Sequence, residues 1–306
     1  MGNLVTGGAG FIGSAIVDKL VENGEKTIIV DNLSRGTRDN LNAEAQFYEI
    51  DITNTENLKN VFCKYDINCV YHQAAQADAA LAMNEPAFDA KSNILGTVNL
   101  LEMCVECDVD KIVYASSAAV YGTPAELPLQ ENHPLAPESP YGASKLTPEH
   151  YLKIYKEQYD LDYTALRYAN VYGPRQFAGG EGGVIAIFIN RILQGEPPII
   201  YGDGQQTRDF IYVEDIARAN LAAMESIGSG IFNISCCQQT SLLELVEKLK
   251  KIADKDFGVK YDEPRKGDIR HSCLSNKKAK ERLDWQPQYN LEAGLKQTVE
   301  YYKTSI

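Results

Sequence analysis

The sequence predicts an α/β protein in which a doubly wound parallel sheet is joined to a smaller, discontinuous α/β domain. Two observations lead to this class. Through the first half of the chain, short β-branched runs alternate with longer amphipathic stretches, and near Val171 the alternation gives way to a glycine-rich stretch. Strand, helix and strand repeated in this way are typical of a parallel sheet with helices on both faces. Ligands of such sheets bind beyond the carboxyl ends of the strands, so functional residues are expected in the loops that follow them.

The predicted strands are six short runs rich in β-branched and aromatic residues, each ending at glycine or polar residues. They cover residues 4–6, 27–31, 47–50, 69–72, 111–114 and 162–167. After the first strand, Ile12, Ile16 and Leu20 recur at helical spacing, and the stretch from Ile94 to Val105 repeats that spacing before the fifth strand. Later helices are expected over 184–193, 215–224 and 241–253, and from about residue 291.

The second domain is predicted to be discontinuous. A strand-like run at 210–213 and the helix after it resemble a return to the first domain. The first domain is therefore expected to span 1–171 and about 210–234, and the second to span 172–209 and 235–306. A chain of 306 residues is long enough for about two domains.

Composition limits the partners that this chain can bind. It carries 42 acidic residues against 30 Lys and Arg, a net charge of −12, whereas nucleic-acid and polybasic membrane binding need a basic surface. Its apolar runs are far shorter than the roughly 20 residues that span a bilayer. Seven scattered cysteines, an odd number, do not form a disulfide framework, so a soluble protein of a reducing cytoplasm is expected. Small molecules and further copies of the chain are the expected partners.

The segment from Thr6 to Gly13 reads Thr-Gly-Gly-Ala-Gly-Phe-Ile-Gly, follows the first predicted strand and opens the first helix. Glycines let backbone N–H groups approach a pyrophosphate, and the helix N-terminus supplies positive potential there. Asp31 ends the second strand, where a carboxylate accepts both hydroxyls of an adenosine ribose and repels a 2′-phosphate. The combination predicts a Rossmann-type site for NAD, while Arg35 and Arg38 close by leave NADP open.

Tyr141 and Lys145 are four residues apart in a predicted helix and so share one of its faces. A cation beside a phenol, joined by a positive nicotinamide ring, favours the phenolate and lowers the pKa of the phenol. Tyr141 is therefore a candidate general base, and Ser117, which follows the fifth strand, is placed to hydrogen-bond the same substrate oxygen. The four histidines show no metal-ligand spacing, so no metal site is predicted.

Pro148 follows Lys145 in the same predicted helix. It lacks a backbone donor and crowds the carbonyl of Ser144. A kink or an altered turn is therefore expected just beyond Lys145.

These motifs resemble those of the extended short-chain dehydrogenases/reductases. The resemblance includes Asn93 in the fourth helix and the run Leu-Arg-Tyr-Ala-Asn-Val-Tyr-Gly-Pro at 166–174. Within that family, Ser-Ser-Ala-Ala-Val-Tyr-Gly at 116–122 and Arg-Lys-Gly-Asp-Ile-Arg at 265–270 are similar to the UDP-galactose 4-epimerases. The resemblance spans essentially the whole chain.

The resemblance implies an NAD-dependent isomerase that interconverts UDP-glucose and UDP-galactose through a transient 4-keto sugar, with Tyr141 removing the proton of the 4-hydroxyl. Related dehydratases and decarboxylases carry acidic residues where this chain has Ala118 and Ala119, which favours a reaction at one carbon. Another epimerase or oxidoreductase of the family, such as a UDP-uronate 4-epimerase, stays open, as does a non-catalytic NAD-binding member. The family also implies a homodimer through the helices that carry Asn93 and Tyr141.

The resemblance assigns binding residues as well. The implied cofactor set is Gly7, Gly10, Phe11, Ile12, Gly13, Asp31, Asn32, Asp51, Ile52, Gln73, Ala74, Ala75, Asn93, Tyr141, Lys145 and Tyr168. The implied substrate set is Ser117, Asn170, Gly183, Val184, Ile199, Tyr201, Arg208, Phe210, Arg265, Asp268 and Ser272. Arg208 and Arg265 suit a diphosphate, because planar guanidinium groups match phosphate oxygens. Ser272 stands where some relatives place a bulky tyrosine against the sugar, so UDP-GlcNAc and UDP-GalNAc are further expected substrates.

Overall fold

The computed structural model describes residues 1–179, 183–264 and 269–305. The strands are β1 (Gly2–Thr6), β2 (Thr27–Asp31), β3 (Gln46–Glu49), β4 (Ile67–His72), β5 (Lys111–Ser117), β6 (Asp162–Tyr168), β7 (Asn170–Tyr172), β8 (Ile199–Tyr201), β9 (Thr207–Arg208), β10 (Phe210–Tyr212), β11 (Gly230–Ile234), β12 (Thr240–Ser241) and β13 (Lys260–Asp262). The helices are α1 (Phe11–Glu22), α2 (Thr55–Lys64), α3 (Ala79–Asn84), α4 (Pro86–Ala90), α5 (Gly96–Glu106), α6 (Pro140–Tyr159), α7 (Val184–Leu193), α8 (Val213–Glu225), α9 (Leu242–Ala253), α10 (Lys277–Arg282) and α11 (Leu291–Ser305). A π-helical turn, Lys91–Leu95, joins α4 to α5.

The central sheet has seven strands in the order β11, β6, β5, β4, β1, β2, β3, and every neighbouring pair is parallel. The chain moves outward from β1 in both directions, which places the topological switch point of a Rossmann-type fold beside β1. The predicted fold class is thus confirmed, and all six predicted strands lie in this sheet. The seventh strand, β11, is a short edge strand that begins at a glycine, and its weak pattern hid it from the sequence analysis.

Successive side chains of a strand point to opposite sides of the sheet, and helices cover both sides. The central strands are therefore buried on both faces. Val5 packs with Ile16 of α1 and Ile216 of α8 on one face. Its neighbour Leu4 packs with Leu100 of α5 on the other. Among the described residues, no helix combines the length and the apolar character needed to cross a bilayer.

A separate core lies beside the sheet, where α7, α9 and α11 pack together and against β10. The run predicted as a returning strand is β10, and it pairs with β7 in a two-stranded parallel ladder outside the central sheet. The elements after it do rejoin the first half, since α8 packs on α1 and β11 pairs with β6. The domain boundaries at 171, 210 and 234 stay a prediction.

Helix α6 continues through Pro148 as a single element and ends at Tyr159. Its start is well defined: the Ser139 hydroxyl accepts a hydrogen bond from the Gly142 N–H at 3.1 Å, and Pro140 takes the first position, where no donor is needed. The buried Pro148 removes one backbone donor without ending the helix. Tyr141 and Lys145 therefore stand on a continuous helix.

A buried ion pair ties α6 to β6. Arg167 Nε donates to Glu149 Oε1 at 2.9 Å, and a second guanidinium nitrogen lies 2.6 Å from Oε2. Both side chains are almost fully buried, at 2% and 3% exposure. Ser116 Oγ donates to the same carboxylate at 2.6 Å, and Tyr121 accepts from Arg167 at 2.9 Å.

Replacing Glu149 with Gln leaves the Arg167 charge buried without its partner. We expect the free energy of unfolding to fall by about 3–5 kcal/mol, measured by urea denaturation. Glu106→Gln is the matched control, because it breaks an exposed pair with Lys59 and should cause no measurable loss. A Glu149→Gln protein as stable as the control would contradict this account of the ion pair.

Candidate active site

The turn between β1 and α1 has glycine where the backbone requires it. Gly7 has φ +70°, and a Cβ on Gly13 would lie 2.1 Å from the Gly7 carbonyl oxygen. Gly10 is the residue that precedes α1, and a Cβ there would meet only that same oxygen, at 3.2 Å. Phe11 and Ile12 then open a helix whose first turn has no side-chain cap and no acidic residue. This open, positively polarised space fits the pyrophosphate of a dinucleotide.

Asp31 lies at the carboxyl end of β2 and is buried. Its two oxygens accept hydrogen bonds from the N–H groups of Ala9 at 3.0 Å and Leu33 at 2.8 Å. Burial raises the pKa of this carboxyl, and the two backbone bonds oppose that rise. Asn32 lies beside it and donates to Asp51 Oδ2 at 3.0 Å, so these predicted cofactor residues form one polar edge.

Two arginines near this edge left NADP open in the sequence. Arg35 pairs with Asp78 at 2.9 Å, and Arg38 pairs with Glu49. A 2′-phosphate would have to displace a carboxylate from either guanidinium, and Asp31 would repel it as well. The geometry therefore favours NAD.

The loop after β4 packs directly against the glycine turn. A Cβ on Gly7 would lie 2.6 Å from the Ala74 nitrogen. Gln73 Nε2 donates to Asn220 Oδ1 at 3.1 Å, and the Tyr168 hydroxyl hydrogen-bonds both side chains. These contacts bring three predicted cofactor residues to the same end of the sheet. Ala75 is the next residue of this loop, whereas Ile52 lies between β3 and α2.

Ser117 and Tyr141 are brought together where α6 packs on the end of β5. Gly142 permits this approach, since a Cβ there would lie 2.6 Å from the Ala119 carbonyl oxygen. The Ser117 hydroxyl hydrogen-bonds Tyr141, and it also accepts from the Ala119 N–H at 3.2 Å. Burial raises the pKa of the Tyr141 phenol, while the hydrogen bond with Ser117 lowers it.

Lys145 lies one helical turn from Tyr141 and is buried. Its ammonium donates to the Ala115 carbonyl at 2.8 Å and lies 5.3 Å from the centre of the Tyr114 ring. Burial lowers the pKa of Lys145 to about 8. The predicted Ser, Tyr and Lys side chains are thus assembled at the carboxyl end of β5.

Asn93 lies in the π-helical turn that packs on α6. Its amide donates to Ser144 Oγ at 2.9 Å and to the Gln76 carbonyl at 2.9 Å, and its oxygen accepts from the Gln76 N–H at 2.8 Å. Such turns are rare and concentrate at functional sites. The sequence analysis missed Gln76 and the buried Asp89. The spacing of four residues between Asp89 and Asn93 could have indicated that these two side chains share a helix face.

Predicted substrate residues meet at a second group of strands. Asn170 of β7 pairs with Phe210 of β10, and Arg208 ends β9. The Ser272 N–H donates to the Thr207 carbonyl at 3.2 Å, which places Ser272 beside β9. Gly183 immediately precedes α7 and Val184 is its first residue, whereas Ile199 and Tyr201 are the two end residues of β8. Arg265 and Asp268 lie outside the described residues.

Asp209 is a buried carboxylate that the sequence analysis also missed. It accepts from the N–H groups of Cys236 at 3.0 Å and Leu274 at 3.2 Å, and so joins both segments beside Arg208. Burial raises its pKa to about 6. Nothing in the sequence spacing links these three positions.

A dinucleotide cradle next to a Ser, Tyr and Lys constellation defines a nicotinamide-dependent enzyme. The chain belongs to the NAD dependent epimerase/dehydratase family, whose model matches residues 3–235. The predicted membership of the extended short-chain dehydrogenases/reductases is confirmed, and NAD is the cofactor that this family uses. Among the described residues, no three His, Cys, Asp or Glu side chains are grouped to hold a metal ion.

Several relatives that match nearly the whole chain are UDP-sugar 4-epimerases. Over 303 residues it is 47% identical to the putative UDP-glucose 4-epimerase of Methanocaldococcus jannaschii, covering 99% of this chain and 98% of that protein. The crystal structure of a UDP-glucose 4-epimerase from Thermotoga maritima with UDP-glucose matches with TM-score 0.98 at 48% identity, covering 100% and 99% of the two chains. A UDP-N-acetylglucosamine 4-epimerase from Methanobrevibacter ruminantium, in complex with UDP-N-acetylmuramic acid, matches with TM-score 0.95 at 38% identity over 100% and 99%. The predicted class, an NAD-dependent isomerase of the UDP-sugar 4-epimerase family, is confirmed.

Gly10→Ala should weaken NAD binding roughly tenfold or more, because the methyl group displaces charge-assisted hydrogen bonds worth about 1.5–3 kcal/mol. Stability should change by no more than about 1 kcal/mol, since the backbone at residue 10 is compatible with alanine. NAD released on denaturation and thermal unfolding measure the two effects. Gly258→Ala, where a Cβ meets open space, is the control. Equal NAD content in both variants would contradict the assignment of the turn between β1 and α1 to NAD binding.

Proposed function

We propose that this chain interconverts UDP-glucose and UDP-galactose through a transient 4-keto sugar. The carrying observation is the assembly of Ser117, Tyr141 and Lys145 next to a turn, Ala118–Val120, that holds no acidic residue. Elimination of water or carbon dioxide needs an added acid at this place, whereas inversion at one carbon does not. NAD, held by the turn between β1 and α1 and by Asp31, would supply the hydride acceptor and donor for carbon 4.

The Tyr141 oxygen moves the proton in this proposal. It takes the proton of the 4-hydroxyl and later returns it to the oxygen of the turned-over ketone. Because burial raises the pKa of this phenol, a neighbouring cation is needed for phenolate at neutral pH, and the buried Lys145 ammonium supplies it. Ser117 hydrogen-bonds the same oxygen and stabilises the charge that develops there.

We propose that the glycine turn holds the pyrophosphate of NAD and that Asp31 accepts the ribose hydroxyls. Segments 172–209 and 235–306 would form the nucleotide-sugar domain. In it, Arg208 and Arg265 bind the diphosphate as planar donors that match phosphate oxygens. The aromatic and aliphatic side chains of β8 and β10 line the uridine.

Turnover of UDP-GlcNAc and UDP-GalNAc, in addition to UDP-glucose and UDP-galactose, is the second candidate function. Two observations favour it: Ser272 leaves more room than an aromatic side chain, and the chain is similar to the M. ruminantium UDP-N-acetylglucosamine 4-epimerase. A UDP-uronate 4-epimerase and a non-catalytic NAD-binding protein are the remaining alternatives.

One experiment separates these functions. Purified protein, with no NAD added, is incubated with UDP-galactose, UDP-GalNAc and UDP-glucuronate in separate reactions, and the products are resolved by chromatography. We expect UDP-glucose from the first, UDP-GlcNAc from the second and no product from the third. Turnover of UDP-glucuronate alone would establish the uronate activity, and no turnover of any sugar would favour a binding protein.

We also propose that the protein is a cytoplasmic homodimer that pairs through the region of α5 and α6. Leu95 and Ile154, which lie in this region, are large apolar residues with 47% and 49% of their surface exposed. All seven cysteines are free thiols, as a reducing compartment requires.

Tyr141→Phe should lower kcat roughly 10²- to 10⁴-fold, because it removes the group that carries the proton. Ser117→Ala should lower kcat about 10²-fold, because it removes a hydrogen bond that stabilises the developing charge. Tyr159→Phe, which removes the same hydroxyl at an exposed position on α6, should leave kcat unchanged. A near-wild-type rate for Tyr141→Phe would eliminate the proposed base.

Ser272→Tyr should reduce turnover of UDP-GlcNAc at least tenfold relative to UDP-galactose, because the ring fills the space that an N-acetyl group needs. The ratio of kcat/KM for the two sugars measures this effect. Ser272→Ala is the size-matched control and should keep the wild-type ratio. If the wild type turns over UDP-GlcNAc no faster than Ser272→Tyr does, residue 272 does not control sugar size.

A further inference from the structure

Asp89 is a buried carboxylate of α4 and is separate from the Ser117, Tyr141 and Lys145 side chains. Its exposed fraction is 1%. Oδ1 accepts from Gln76 Nε2 at 3.0 Å and from Asn93 Nδ2 at 3.1 Å. Oδ2 has no hydrogen-bond partner among the described residues. Acidic side chains this deeply buried are rare without a compensating cation, so a positively charged group is expected nearby.

The hydrogen bonds of Asp89 lead directly to the catalytic turn of α6. The Asn93 amide that donates to Asp89 also donates to Ser144 Oγ, and that hydroxyl donates to the Tyr141 carbonyl at 3.0 Å. An ionised carboxylate only accepts hydrogen bonds, so it sets which end of the Asn93 amide faces α6. Through Gln76, the same carboxylate anchors the loop that follows β4 and packs on the glycine turn.

The charge of Asp89 acts on the same centre. Burial lowers the pKa of Lys145 and the Asp89 carboxylate opposes it, whereas at Tyr141 burial and Asp89 both raise the pKa of the phenol. Glu149, one turn further along α6, is a carboxylate whose charge is neutralised by Arg167. His72 of β4 is neutral, because burial lowers its pKa to about 3, and Tyr114 of β5 has its pKa raised by burial.

We infer that Asp89 is a positioning residue for this site: its carboxylate orients the Asn93 and Gln76 amides and supplies the buried negative charge that balances the Lys145 ammonium. The inference rests on the proposed roles of Tyr141 and Lys145 and extends them to a residue that does not touch the substrate. It explains why a carboxylate is buried beside two amides that cannot neutralise it.

Asp89→Asn tests the charge, because it keeps one acceptor and removes the anion. We expect Tyr141 and Lys145 both to lose their protons at lower pH, by about one unit, since the anion stabilises the ammonium and disfavours the phenolate. An absorbance titration of the phenolate in the NAD-bound protein, with Tyr141→Phe as the baseline, reads this shift without substrate. In the pH profile of kcat/KM, the acidic limb should follow Tyr141 and the alkaline limb should follow Lys145. Both limbs should therefore move to lower pH.

Glu85→Gln is the matched control, because it removes an equal charge from the exposed start of the same helix and should move neither limb. Ser144→Ala tests the positioning path, since it cuts the bond from Asn93 to α6 and keeps the anion. It should lower kcat roughly tenfold with both limbs in place. An Asp89→Asn protein that titrates like the wild type overturns the inference.

If circular dichroism shows that Asp89→Asn is unfolded, Asp89→Glu decides the question. It keeps the charge but displaces the carboxylate, so kcat should fall about tenfold with the limbs unmoved. A wild-type kcat for that variant overturns the inference. A wild type that turns over no UDP-sugar, with the phenolate shift still present in Asp89→Asn, refutes the proposed function and supports the inference.

Discussion

One face of α6 lies against the last residues of β5, and the geometry of the whole site depends on this contact. Three α6 residues spaced four apart each bond a different residue at the end of that strand. The pairs are Tyr141 with Ser117, Lys145 with Ala115, and Glu149 with Ser116. Because residues four apart share a helix face, one packing arrangement positions the phenol, the ammonium and the buried carboxylate together. Arg167 then ties that carboxylate to β6, so the helix is held to two neighbouring strands.

Three of the buried carboxylates in this acidic chain are stabilised in different ways. Asp31 is held by backbone N–H groups, Glu149 by the Arg167 guanidinium, and Asp89 by two side-chain amides. Of these three, only Glu149 is neutralised by a paired cation, Arg167. Its role is structural, because it ties α6 to β6. The other two keep charge available to the dinucleotide cradle and to Lys145. A net charge of −12 is therefore compatible with binding diphosphates, because local dipoles and arginines decide the potential at each site.

Most of the fold could be predicted because its central strands are buried on both faces and read as continuous β-branched runs. The edge strand β11 could not, since its pattern is weak and its pairing with β6 depends on where α8 leaves the chain. The run at 210–213 shows the same limit. It reads correctly as a strand, but its partner is β7 and not the central sheet, and no local pattern specifies a partner.

The glycine turn, Asp31 and the Tyr141 to Lys145 spacing are visible in the sequence because each obeys a rule that acts over a few residues: a backbone angle, a strand end or a helical period. The contacts of Asp89 with Gln76 and Asn93, and of Asp209 with both segments beside Arg208, obey no such rule. They exist only once elements distant in the chain pack together. Burial then removes water from these carboxylates, and the partners that each one meets are set by packing, which no sequence period encodes.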